Sequence, residues 1–363
     1  MHLCRLLIMM LLLNAPVLCA NAQSDKQKAK ELGARAVKLE DEGRVDEAMP
    51  LLDEAQKLAP DDYNYPYEIA YCYRVKENYN KGIEVMQKVM TFPDIREECY
   101  QMLGDLYDLN GDSTMALRSF ADGLQKFPNA GSLYLETGNV YFLREQFLTA
   151  LPWYEKGIEV DPAYPSNYYR AAQIYTSSSE SIWGMIYGEL FMNLERNSRR
   201  TSDMSSWLYK TYKSNIVIKS KDSMEVHFCQ NHQMEIDENT IKQGKEMRLP
   251  FSLMYEPLLI MSMSFNDTID VAALCNMRKK FISLYYEKDF NKKYPNVLFE
   301  YQHTIEKAGH IDAYNHWVLM KGNEDAFVKW KDSHSSEWES FIKWFQANPI
   351  EITTANEFVR SKA

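Results

Sequence analysis

The sequence predicts a mainly α-helical chain: an α-solenoid of five helix–turn–helix units, then a mostly helical C-terminal domain with a small strand element. Three observations predict it. Small residues recur at a fixed 34-residue spacing from residue 29 to residue 196. Bulky residues and prolines recur in the same register. Beyond residue 197 that period stops, and a short apolar/polar alternation appears around Met224–Phe228.

The stretch Gly104–Pro128 shows the unit best. It reads as two amphipathic helices joined at Asn110-Gly111-Asp112, with the small residues Gly104, Ala116 and Gly123 inside them. A helical glycine costs about 1 kcal/mol relative to alanine. Close helix crossings can offset that cost, because two axes approach only where side chains are small and neighbours fill the groove. Counting units from 29, 63, 97, 131 and 165, the eighth position is Ala36, Ala70, Gly104, Gly138 and Ala172. The eleventh is Leu39, Tyr73, Tyr107, Tyr141 and Tyr175, and the twentieth is Ala48, Gly82, Ala116, Ala150 and Gly184. The twenty-fourth is Leu52, Met86, Phe120, Tyr154 and then Gly188, and the twenty-seventh is Ala55, Val89, Gly123, Gly157 and then Phe191. Closing prolines stand at Pro60, Pro128 and Pro162, with Pro93 displaced and none in unit five. In period and in these positions the segment resembles the tetratricopeptide repeat (TPR) family. Units three and four match best, and unit five departs most.

Residues 1–22 read as a signal peptide: Arg5, the apolar run Leu6–Leu13, and Ala20-Asn21-Ala22, with cleavage expected between Ala22 and Gln23. The run is too short to span a bilayer, and Cys19 follows Leu18 rather than the small residue that a lipidation signal wants. The expectation is an exported protein, periplasmic or secreted, with no transmembrane segment in the mature chain. The predicted domains are 1–22, a TPR array at 29–196 and a C-terminal domain at 202–350. Residues 29–196 carry 28 acidic and 16 basic side chains, whereas residues 197–363 carry 22 of each. The acidity of the array disfavours nucleic acid and favours neutral or basic partners. Cys72, Cys99, Cys229 and Cys275 are too few for a disulfide framework in a chain of this size, and buried thiols are as natural a reading.

In the second half, Ser205–Tyr212 reads as helix. Asn215–Ile218 and Met224–Phe228 read as paired strands, and Arg248–Phe251 as a weaker strand. Helices are expected from Leu253, over Ile269–Tyr286 and Val297–Lys307, and at Tyr314–Met320, Ala326–Trp330 and Trp338–Phe345. Trp317, Trp330, Trp338 and Trp344 suggest either an aromatic binding face or, preferably, a tryptophan-rich core.

Chemistry is sparse. His227-x-Cys229-x-x-His232 has zinc-ligand residue types but no second cluster. His303, His310, Asp312 and His316 would need to converge from separate helices to make a site. No phosphate loop, dinucleotide fingerprint, nucleophile elbow or HExxH is present. Asp112-Ser113-Thr114, Asp222-Ser223-Met224 and Asp267-Thr268-Ile269 match a short O-glycan acceptor pattern common by chance. No cofactor, no metal and no catalytic residue is expected.

The TPR resemblance implies a concave face lined by the first helices, with the ninth, fifth and twelfth positions exposed to a ligand. The candidates are Tyr67, Tyr71, Arg74, Gln101, Asp105, Asp108, Leu135, Asn139, Phe142, Tyr169 and Gln173. Aromatic and amide side chains on a concave surface suit an extended peptide, whose backbone amides need partners. The expected function is an exported scaffold binding a protein or peptide, and not an enzyme. Three competing readings remain: a ligand-binding or hydrolytic C-terminal domain with the array as docking arm, an assembly chaperone, and occupation of the groove by the second half itself.

Overall fold

The computed structural model describes residues 23–220, 223–230, 249–263 and 268–362. The proposed signal peptide therefore lies outside the described residues, as do His232, Asp222 and Asp267. The chain divides into two compact units, one ending at Pro128 and the other beginning at Asn129.

The N-terminal unit is three helix pairs: α1 (residues 23–41) with α2 (Val45–Leu58), α3 (Asn64–Val75) with α4 (Tyr79–Val89), and α5 (Glu97–Leu109) with α6 (Ser113–Lys126). Each sequence repeat supplies one pair, and the small residues lie inside: Ala36, Ala48, Ala55, Ala70 and Ala116 are all fully buried. Two of the repeats' glycines are close-approach points. A Cβ on Gly104 would sit 2.2 Å from the Phe120 ring, and one on Gly82 would sit 2.9 Å from Leu106 of the next repeat.

The turns repeat as faithfully as the cores. The fifteenth residue of each of the first four repeats is left-handed: Gly43 (φ 74°), Glu77 (57°), Gly111 (87°) and Glu145 (59°). The residue after it donates its N–H back to the eleventh carbonyl: Arg44 to Leu39 (2.7 Å), Asn78 to Tyr73 (2.9 Å), Asp112 to Tyr107 (2.8 Å) and Gln146 to Tyr141 (3.0 Å). This is the Schellman closure of a first helix, and it satisfies carbonyls that the helix end leaves open.

The C-terminal unit begins with two more pairs, α7 (Gly131–Phe142) with α8 (Phe147–Val160) and α9 (Pro165–Tyr175) with α10 (Ser181–Leu194). In α10, 13 of the 14 residues are buried, so it is a central helix rather than an amphipathic one. The next helix causes this. Helix α11 (Arg199–Asn215) crosses α10 where Gly188 would bring a Cβ within 2.6 Å of Met204. The bulky side chain expected at that position is replaced by one from the crossing helix. The fifth turn is also different. Ser179 carbonyl accepts from Gln230 N–H (3.0 Å) and Ile182 N–H donates to Phe228 carbonyl (3.1 Å). Strand-following residues thus occupy the place of the Schellman closure.

Strands β1 (Ile216–Ser220) and β2 (Ser223–Val226) pair antiparallel, with Ile216 opposite Val226. Phe228 lies beyond the strand and is fully buried. The third expected strand fails where it can be described. Phe251 opens helix α12 (Phe251–Ser262) directly after Pro250. Proline lacks a ladder donor but suits a helix start. Among the described residues, helices α13 (Val271–Glu287), α14 (Phe290–Lys293), α15 (Val297–Lys307), α16 (Ile311–Val318), α17 (Glu324–Ser333) and α18 (Ser335–Ala347) follow, with a short 3-10 turn at Arg360–Lys362. One hydrophobic core runs from Leu135 to Val359, so it includes residues on both sides of residues 196–202. Cys72, Cys99, Cys229 and Cys275 are buried free thiols.

Within that core lies an ion pair. Arg278 grips Glu189 with both terminal nitrogens (Nη1–Oε2 2.8 Å, Nη2–Oε1 2.5 Å), and both side chains are under a tenth exposed. Tyr314 donates to Glu189 Oε1 (2.8 Å), and Gln302 Nε2 donates to the same oxygen. Arg278 Nε donates to Asn315 Oδ1 (2.8 Å) and Nη1 to the Tyr212 hydroxyl (3.1 Å).

Candidate functional site

In the N-terminal unit the candidate residues lie on α3 and α5. The Arg74 guanidinium lies 5.1 Å from the Tyr71 ring centroid, and Tyr67 is partly buried against the core around Ala70 and Cys99. Gln101, Asp105 and Asp108 are half-buried on α5. Beside them, Cys72 Sγ donates to Glu40 Oε1 at 3.2 Å. Burial, reinforced by the Glu40 carboxylate, pushes the Glu68 carboxyl up to about 7. Glu40 is raised as well, burial being the main cause.

That pair predicts a pH dependence. Glu68 holds its proton more tightly folded than unfolded, so the folded state binds more protons between the two pKa values. Its contribution is present below about pH 4.5 and is lost as pH rises through about 7. The melting temperature of the N-terminal unit should therefore fall from pH 5 to pH 8. Glu68→Gln should flatten the profile in circular dichroism melts, and an unaltered slope would rule out this carboxyl as its origin.

The C-terminal unit holds a cleft of about 740 Å³. Phe142 closes the end of α7, Phe147 and Leu148 open α8, Ile174 and Thr176 come from the end of α9, and Trp207 and Lys210 come from α11. Phe142 and Phe147 meet edge to face at 5.2 Å, and the Arg170 guanidinium lies 4.8 Å from the Phe142 ring centroid. Leu148 is 85% exposed and Leu143 68%. Isolated exposed leucines are ordinary, but a concave apolar lining beside such residues is the usual form of a binding site.

The structure treats the remaining C-terminal-unit candidates differently. Phe142 and Gln173 line the cleft. Tyr169 is sandwiched by Phe191 (5.0 Å) and Trp207 (5.4 Å), so α11 covers it. Asn139 is committed to its neighbours, donating to Glu136 (2.9 Å) and accepting from the Tyr154 hydroxyl (3.1 Å). Leu135 is 7% exposed and belongs to the core rather than to a ligand face.

Sequence reasoning missed Leu148, Phe147 and Trp207. A signal for Leu148 was present: the eighteenth position is Asp46, Asn80 and Thr114 in the first three repeats, then Leu148 in the fourth. Trp207 carried none, since it belongs to a helix outside the repeat register.

Among the described residues, the candidate histidines do not converge on one site. His227 Nε2 pairs with Glu225 (3.2 Å), and His303 stacks on Tyr286 at 3.7 Å. His310 packs on Trp344, while Asp312 binds Lys279 (2.7 Å). His316 Nδ1–H donates to the Asp312 carbonyl (2.8 Å) and stacks on Trp330 at 3.9 Å, and burial lowers its pKa. Among the described residues, no group of three or more His, Cys, Asp or Glu could hold a metal ion. Trp317 is buried, whereas Trp330, Trp338 and Trp344 are partly buried against the core, as the core reading expected. Among the described residues no helix is long and apolar enough to cross a membrane.

No family model matches the chain, and no curated protein does either. Solved structures similar to it include MamA, at 19% identity over 44% of this chain and 94% of that one, with a TM-score of 0.36. Another is TTC0263, a TPR protein of Thermus thermophilus, at 19% identity over 50% and 98%, with a TM-score of 0.43. A third is pilF of Pseudomonas aeruginosa, at 13% identity over 53% and 86%, with a TM-score of 0.45. Similarity of this depth carries neither partner nor activity across.

Proposed function

We propose that the protein is an exported, TPR-like interaction scaffold that seats a peptide segment of a partner protein in the α7–α11 cleft. The carrying observation is the 740 Å³ cleft beside Leu148, which is 85% exposed at a position that is polar in the first three repeats. Phe142, Phe147 and Trp207 supply rigid apolar walls, which cost little conformational entropy on binding. Gln173, whose Oε1 is held by Arg170 (3.1 Å), turns its amide nitrogen to a peptide backbone, while the Thr176 and Ser178 hydroxyls donate to the Gln173 and Tyr175 carbonyls. The acidic balance of the repeats favours a partner that is neutral or basic overall. Binding to a preformed cleft needs no chemistry, and the dispersed histidines support an interaction role over a hydrolytic one.

The test is quantitative capture from the envelope fraction with wild-type and Leu148→Glu protein, followed by titration of the captured partner. A charge in the apolar wall should weaken the partner at least about tenfold while leaving the melting temperature within about 1 °C, because Leu148 supports no core. Mature protein from the same fraction should begin at Gln23. Equal affinity for both proteins would remove the cleft, and recovery of intact Met1 would remove export.

A further inference from the structure

The segment after α18 does not stand free in solvent. It runs back across α8 and α10 as a strap that turns at residues 354–356 and ends in the 3-10 turn Arg360–Lys362. Ile350, Ile352, Phe358 and Val359 are each 7% exposed or less. The Phe358 ring packs on Trp183 (6.0 Å) and Phe251 (5.1 Å). Arg360 N–H donates to the Tyr187 hydroxyl (2.9 Å), and its guanidinium Nε donates to Glu155 Oε1 (3.2 Å). Lys362 reaches Glu159 (3.3 Å), and Glu180 lies 3.8 Å from Arg360.

The receiving surface also has hydrogen bonds of its own. Tyr175 and Tyr187 both donate their hydroxyls to Glu155 Oε1 (3.0 and 3.2 Å), which fixes a mostly buried carboxylate at the end of an aromatic trench. Three carboxylates, Glu155, Glu159 and Glu180, face two cations on the strap. The trench shares no lining residue with the α7–α11 cleft.

We propose that Trp183, Tyr187, Glu155 and Glu159 form a peptide-recognition trench whose resident ligand is the chain's own Phe358-Val359-Arg360 segment, and that the trench exchanges this segment for the identical one of a second copy. The strap's hold has the composition of a short peptide ligand. Two apolar residues are buried, while Arg360 and Lys362 are about half exposed, so their ion pairs add little. The strap reaches the trench through residues 353–356, which are all exposed and form a surface turn, closed by Glu357 N–H to the Thr353 carbonyl (2.9 Å) and by Asn356 Nδ2 to the Glu351 carbonyl (3.1 Å). Such a tether keeps the segment near its site at high effective concentration and favours the cis arrangement in dilute solution. At high protein concentration, tail exchange yields a dimer with the same contacts.

The experiment uses the full chain with a protease recognition sequence inserted between Ala355 and Asn356, cut after folding, and a fluorescent peptide of residues 356–363. The cut chain should release its tail to excess peptide and bind the probe saturably. A Phe358→Ala probe should bind at least about tenfold more weakly, while Glu155→Gln in the cut chain, which removes only a half-exposed ion pair, should weaken the normal probe by much less. The uncut chain should form a concentration-dependent dimer in sedimentation velocity, lost when the probe is in excess. A tail that cannot be exchanged, a cut chain that melts on cleavage, a probe indifferent to Phe358→Ala, or an uncut chain that stays monomeric throughout would each overturn the proposal.

Discussion

Glu189→Ala is expected to remove about 3–5 kcal/mol of unfolding free energy, the cost of leaving a buried partner charge alone. Arg278 would keep its contacts to Asn315 and Tyr212 but lose the carboxylate that both terminal nitrogens grip. Tyr314 and Gln302 would lose an acceptor as well. The comparison that separates charge from packing is the double variant Glu189→Met with Arg278→Met. Removing both ions relieves the desolvation cost, so the double variant should be much less destabilised than either single one. Urea melts of the wild type, Glu189→Met, Arg278→Met and the double variant close the cycle. A single-variant loss under about 1 kcal/mol would mean that water reaches the pair.

This network also shows where sequence reasoning stops. The unusual residues of repeat five, Gly188 and Phe191, were visible as departures from the pattern. Their cause was not, because the helix that fills the space above Gly188 lies outside the register. Glu189 reads as an ordinary helical glutamate. Its partners stand 89, 113 and 125 residues away, and no local pattern joins them. The strands at Ile216 and Met224 were legible from alternation, since a half-exposed hairpin keeps the period of two. Phe251 was misread because an apolar run beside Pro250 has no period of its own. The candidate site was legible in part. Phe142 and Gln173 were found through the repeat register, but Trp207 comes from α11, and Leu135 was placed by a family geometry that does not hold where the chain packs it inward.

The glycines make a sharper case, because sequence and structure agree on them to the level of single rings. Where the twenty-fourth position is aliphatic, as at Leu52 and Met86, the eighth is alanine: Ala36 and Ala70. Where it is aromatic, as at Phe120 and Tyr154, the eighth is glycine: Gly104 and Gly138. The geometry supplies the reason. A Cβ on Gly138 would lie 2.4 Å from Cε1 of Tyr154 and 2.9 Å from its Cζ, and that ring is fully buried. The ring cannot swing aside freely, since its hydroxyl is held by Asn139 (3.1 Å). Gly138→Leu should therefore cost about 1–3 kcal/mol from overpacking. The helix-propensity gain of under about 1 kcal/mol works in the other direction and does not cancel it. Gly138→Ala should be destabilising too, by less. The deciding experiment is the swap. In a Tyr154→Met background, which copies the pairing at Met86, alanine at position 138 should become neutral or stabilising relative to glycine. If urea midpoints show the same penalty for alanine in both backgrounds, the ring is not what excludes a side chain there. The glycine must then serve the backbone of α7 itself.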